Sequence, residues 1–168
     1  MLDDVWPTLP AQLRDELITQ CVRTLKGDPA AYGQFAHLVA SITNSRMDTV
    51  KSQWRIGNFY GTKLALSRDP GKASPALAQA FLAARKGEVT ALYNALGVEH
   101  KDLEVDDASV SRDPPTEVKF AAVLQKGLEG ISPDILKCMI AVIADSGIDQ
   151  WQLPARNALV AHLAPRAG

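Results

Sequence analysis

The residues best equipped to ligate a metal or attack a substrate are His37, His100, His162, Cys21 and Cys138, and they stand far apart in the sequence. Metal sites and nucleophilic centres draw on tighter patterns, such as paired histidines one helical turn apart or Cys-x-x-Cys, and neither pattern occurs here. A glycine loop able to cradle a phosphate is also missing from the sequence. His37 lies in an otherwise apolar helix and reads as a satisfied, partly buried residue. His100 lies in an acidic stretch and reads as solvent-exposed. Catalysis would need groups that only the fold brings together, and no triad or acid pair can be named. The expectation is a chain that is not an enzyme and carries neither cofactor nor metal.

A second chemistry is recognition of a charged partner. Between Thr43 and Lys72 six cations, Arg46, Lys51, Arg55, Lys63, Arg68 and Lys72, face only Asp48 and Asp69, a local balance of +4. Trp54, Phe59 and Tyr60 are interleaved with them. Cations neutralise phosphates and aromatic faces stack on bases, so this mixture suits nucleic acid. The order Phe35 to Ile42, then Thr43-Asn44-Ser45, then Arg46 onward, outlines a helix-turn-helix within 36–72. Its second helix would present Arg46, Thr49, Lys51, Gln53 and Arg55. Ser45 stands where such motifs usually bury an apolar residue, and Trp54 would have to serve as the later anchor. The competing reading makes Trp54 core and the cations a solvated face. The candidate contact residues for nucleic acid or a protein partner are Arg46, Thr49, Lys51, Trp54, Arg55, Tyr60, Lys63 and Arg68.

The opposite charge gathers in 99–117, with a local balance of −5. Asp102, Glu104, Asp106 and Asp107 form the candidate acidic partner surface. Their alternation invites a calcium reading, but the central glycine and terminal glutamate of an EF-hand loop do not stand in register. A solvated loop fits better, one that would meet the basic segment of the same or a neighbouring molecule.

The elements that must position these groups are helices, because strand-like alternation of β-branched and aromatic residues is nearly absent. Leu13, Leu17, Cys21 and Leu25 recur every four residues and predict a helix from about Thr8 to Leu25. Asp28-Pro29 supplies a cap and first turn for the next helix, with Phe35, Leu38, Val39 and Ile42 inside. Met47, Val50 and Trp54 mark a third, continuing with a bend through Phe59, Tyr60 and Leu64. Ser74-Pro75, Asp113-Pro114 and Ser132-Pro133 read as further helix starts. Arg85-Lys86-Gly87 reads as a stop, followed by a short helix through Val89, Leu92 and Leu96. The segment from Ser132 to Ser146 is the most apolar and is expected at the centre, before a last helix near Pro154 to Leu163 and a frayed tail from Pro165 to Gly168. The four cap-proline starts hint at a repeat, but their spacings of 46, 39 and 19 residues are irregular.

At 168 residues and 22% charged, the chain is long and apolar enough for a packed core. The net charge of −1 excludes a global basic field, so nucleic-acid contact would rest on the local segment alone. The acidic start and the lack of a long apolar run point to a cytoplasmic protein with reduced thiols and no membrane partner. The expected fold is all-α: a single domain, 1–168, of about seven helices, as an orthogonal or up-down bundle or a short irregular array of helical hairpins. A possible subdivision is 1–97, the acidic loop 98–112, and 113–164. The expected function is a non-enzymatic interaction module that binds a protein partner or assembles with itself. The alternative is DNA or RNA binding through 36–72.

Overall fold

A computed structural model describes residues 1–105, 108 and 112–164. The expectations placed on Asp106, Asp107 and the tail from Pro165 to Gly168 lie outside the described residues. The protein is all-α. Ten α-helices, rather than about seven, stand beside one two-stranded hairpin among the described residues. The chain divides into two compact units, Leu2–Ala84 and Arg85–Gly168, the latter together with Met1.

The first unit opens with α1 (Leu2–Val5) and a 3-10 turn (Trp6–Thr8), followed by α2 (Ala11–Leu25), α3 (Pro29–Thr43), α4 (Met47–Arg55), α5 (Tyr60–Arg68), a second 3-10 turn (Gly71–Ala73) and α6 (Ser74–Ala84). Helix α2 packs on α6, while α3 holds both α4 and α5. The buried stripe Leu17, Ile18, Cys21, Val22 and Leu25 follows the four-residue spacing of the sequence. Asp28 caps α3 by accepting from the amides of Ala30 at 3.1 Å and Ala31 at 3.0 Å, so two donors that the helix cannot pair are satisfied. The helix ends at Asn44, whose φ of 53° is left-handed, a conformation that asparagine tolerates well.

The second unit contains α7 (Lys86–Leu96), β1 (His100–Lys101), β2 (Glu104–Val105), α8 (Glu117–Lys126), α9 (Pro133–Ser146) and α10 (Asp149–Leu163). Helices α8, α9 and α10 pack on one another, and α7 packs on α8. Ser132 caps α9 through the amide of Ile135. Ile135, Leu136, Cys138, Met139, Ile140, Ala141, Val142 and Ala144 are all buried, which accounts for the apolar residues on nearly every face of this helix.

Several boundaries differ from the sequence expectation, each for a local reason. Helix α8 starts at Glu117 rather than at Asp113. Pro115 follows Pro114 and disfavours helical backbone there, and Thr116 takes over as cap. Ser74 lies inside a continuous 3-10 and α run rather than capping it, so the cap-proline pattern does not mark equivalent helix starts. Helix α6 ends at Ala84 and α7 resumes at Lys86 through Gly87, so the expected stop is a one-residue break. Helix α10 begins five residues before Pro154. Trp151 and Ala155 are buried on either side of the proline, and their packing outweighs its lost donor. The bend expected after Trp54 is a full break, because Gly57 at φ 74° leaves helical space.

Candidate partner-binding surface

The eight basic-segment residues singled out in the sequence all lie in the first unit. Arg46, at the N-cap of α4, is exposed, as is Thr49 in its first turn. Lys51 is half-buried with its Nζ 5.9 Å from the Tyr32 ring centre, a cation–π contact. Arg55 is exposed and donates to the Ser52 hydroxyl at 2.9 Å. Lys63 is ion-paired with Asp15 at 2.8 Å. Arg68 donates to the carbonyl of Ile42 at 3.1 Å, and Lys72 is ion-paired with Asp69. Lys63 and Lys72 are therefore charge-compensated, while Arg68 is engaged by a neutral carbonyl.

Trp54 faces inward and is only 3% exposed. Its ring stacks on Phe35 with centres 5.5 Å apart and meets Tyr32 edge-on at 5.1 Å. Its indole N–H donates to the Thr62 hydroxyl at 2.7 Å. The tryptophan is thus a core residue joining α3, α4 and α5. His37 is exposed rather than partly buried.

The exposed apolar side chains of this segment were only partly anticipated. Ile56 is 75% exposed and Tyr60 72% exposed, on either side of the turn Gly57-Asn58-Phe59. Met47 is exposed as well. The turn is built rigidly. Asn58 donates its side-chain amide to Gln53 Oε1 at 2.6 Å and its backbone N–H to the Gln53 carbonyl at 2.9 Å. Its Oδ1 accepts from the amide of Tyr60, the first residue of α5, at 3.0 Å. Ile56 was legible from the α4 pattern, since it sits about 200° around the helix from Trp54 and cannot join that buried stripe. The face of α4 opposite Val50 and Trp54 carries Asp48, Thr49, Ser52, Arg55 and Ile56, one anion against one cation.

In the second unit, Asp102 and Glu104 are exposed on the β1–β2 hairpin, where Lys101 pairs in register with Glu104 and His100 with Val105. The turn residues Asp102 and Leu103 have φ of 51° and 70°. Left-handed backbone of this kind costs non-glycine residues about 1–3 kcal/mol each. His100 is half-buried rather than exposed. Its Nε2 lies 3.2 Å from Asn94 Oδ1 and its ring centre 5.4 Å from that of Tyr93.

Other chemistry is sparse. Among the described residues no three His, Cys, Asp or Glu side chains gather as a metal site would require. Burial pushes the Cys21 and Cys138 thiols up to about 12, so both are protonated and unreactive near neutral pH. A cleft of about 320 Å³ in the first unit is lined by Phe35, Leu38 and Pro75 with Gln34, Lys72 and Gln79 at its polar positions. Lys72 and Gln79 are already held there by Asp69 and Asp28. No helix among the described residues is long and apolar enough to cross a membrane.

Compared with models of protein families, with curated proteins and with solved structures, the chain matches none of them.

Proposed function

We propose that the chain is a non-enzymatic helical interaction module that docks a protein partner on the corner between α4 and α5. The observation that carries this reading is the exposure of Ile56 and Tyr60, at 75% and 72%, around a turn that Asn58 ties down. Large apolar side chains held rigidly in water are the usual material of interface anchors, and tyrosine and arginine are enriched among them. Arg55, next to Ile56 in the chain, is an exposed cation, so the fitting partner is a protein segment with an apolar anchor flanked by carboxylates.

A nucleic-acid interface is less well served. Binding a phosphate backbone needs several cations free of internal anions, and Lys63 and Lys72 already have carboxylate partners. The exposed face of α4 also carries Asp48, an anion that opposes a phosphate backbone.

The test is direct binding of the purified chain to an immobilised peptide array in which leucine or phenylalanine is flanked by aspartate and glutamate, beside mixed-sequence DNA and RNA. We expect selective retention of acidic–apolar peptides, weakened roughly tenfold or more by Ile56→Asp. Peptide binding indifferent to Ile56→Asp would overturn the proposal. So would DNA or RNA binding that disappears when Arg46, Lys51 and Arg55 are reversed in charge.

A further inference from the structure

We infer that the α4–α5 corner, read as a docking face, takes the β1–β2 hairpin of a second copy of this chain, whose tip is Asp102-Leu103-Glu104. The corner calls for an apolar anchor flanked by carboxylates, and this tripeptide is one. Asp102 and Glu104 are exposed, and Leu103 between them is half-buried, so part of its side chain stands in water. On the corner, Ile56 and Tyr60 offer apolar surface at 75% and 72% exposure, with the exposed cation Arg55 next to Ile56. Charge agrees over a wider range, since 43–72 carries a local balance of +4 and 99–117 one of −5. Opposite patches of this kind draw copies together and disfavour corner-to-corner or hairpin-to-hairpin docking.

The backbone of the hairpin points the same way. Lys101 pairs with Glu104 across it, so Asp102 and Leu103 alone make the turn. Their φ values of 51° and 70° are both left-handed, as a two-residue type I′ turn requires. Aspartate suits the first of these positions, and glycine is the residue that fills the second without steric cost. Leucine there strains the backbone of the free chain. Glycine would serve the turn better, so what Leu103 contributes is its side chain, placed at the tip between two carboxylates. Strained residues that persist cluster at binding sites, where a contact made by the side chain offsets the strain. Each copy carries both halves of this contact, the hairpin in the unit from Arg85 to Gly168 and the corner in the unit from Leu2 to Ala84.

The experiment follows the full chain by sedimentation velocity over a concentration series, at about 0.05 M and about 0.5 M sodium chloride. We expect reversible, concentration-dependent association that weakens roughly tenfold or more at the higher salt. Ile56→Asp and Leu103→Gly each remove one half of the contact, and each is expected to be monomeric alone. Leu103→Gly puts glycine where the turn favours it, and a thermal melt close to that of the wild type separates a lost contact from lost folding. Glu104→Gln, at an exposed position, is the second hairpin variant and weakens association roughly threefold or more. Mixed in equal amounts, Ile56→Asp with its intact hairpin and Leu103→Gly with its intact corner are expected to form a dimer of one copy each. A wild type that stays monomeric throughout overturns the inference. So does association indifferent to Leu103→Gly and Glu104→Gln, or a mixture of the two half-contact variants that stays monomeric. Acidic–apolar peptides that still bind through Ile56 in any of those cases leave the corner as the docking face of a different protein, whereas their failure removes both readings together.

Discussion

The indole N–H of Trp54 donates to the hydroxyl of Thr62 at 2.7 Å, inside a core where the two residues are 3% and 1% exposed. This bond ties α4 to α5 from within, while Asn58 ties them from without, and together they set the corner that carries Ile56 and Tyr60. Replacing Thr62 with valine preserves volume and leaves a buried donor without an acceptor. We expect Thr62→Val to destabilise the chain by about 1–3 kcal/mol. Urea unfolding followed by tryptophan fluorescence measures this, and an unchanged midpoint would show that the bond is not stabilising.

Gly147 closes α9 by a close approach rather than by special backbone angles. Its amide donates to the Ile143 carbonyl at 2.9 Å, and a Cβ placed on it would lie 2.6 Å from that same oxygen. The obstructing oxygen is backbone and has little room to adjust. Gly147→Ala is expected to cost about 1–3 kcal/mol through displacement of the helix end, read from thermal melts. Gly33→Ala, where a Cβ meets nothing within 4 Å, is the matched control and is expected to be neutral or stabilising.

Asp28 gives the first unit an acid-sensitive anchor. Its carboxylate accepts from the amide of Ala31, the side chain of Gln79 and the amide of Ala30, and these bonds lower its pKa below the ordinary 3.8. A pKa lowered on folding means stabilisation that is complete above the unfolded value and lost as pH falls through the folded one. We expect the wild type to lose its stability advantage over Asp28→Ala only below about pH 4. A stability difference that is flat from pH 7 to pH 2 would contradict this assignment.

Cys21 and Cys138 report separately on the two units. With both thiols raised to about 12, alkylation at pH 8 requires local or global opening. Mass spectrometry after brief iodoacetamide treatment should find both unmodified in the native chain and both modified in urea. Thiol pKa values raised on folding also predict stability that is full below the ordinary value of 9.0 and declines from there towards pH 12, as the unfolded chain ionises first. A Cys21→Ala, Cys138→Ala variant should lack that alkaline decline.

Which parts of this were legible in the chain itself depends on the range of the interactions involved. Helix class, the Asp28 and Ser132 caps, the left-handed Asn44 and the buried face of α9 follow from residues within a few positions of one another. They were readable for that reason. The start of α8 is local as well, since Pro115 after Pro114 moves the cap to Thr116. The two-residue strands were not legible, since the hairpin turn puts Leu103 as well as Asp102 in left-handed backbone, which a leucine does not advertise.

The amino-acid sequence by itself determined that this protein is helical, where its apolar stripes run and that its charges segregate, because periodicity and capping are local. Only tertiary structure decided what the charges and rings do. It sent Trp54 inward to Thr62, gave Lys63 to the distant Asp15, and left Ile56 and Tyr60 in water. It also brought His100 and Trp151, fifty-one positions apart, onto the one ring of Tyr93. Those outcomes depend on which faces meet, and a single chain's spacing carries no record of its partners across the fold.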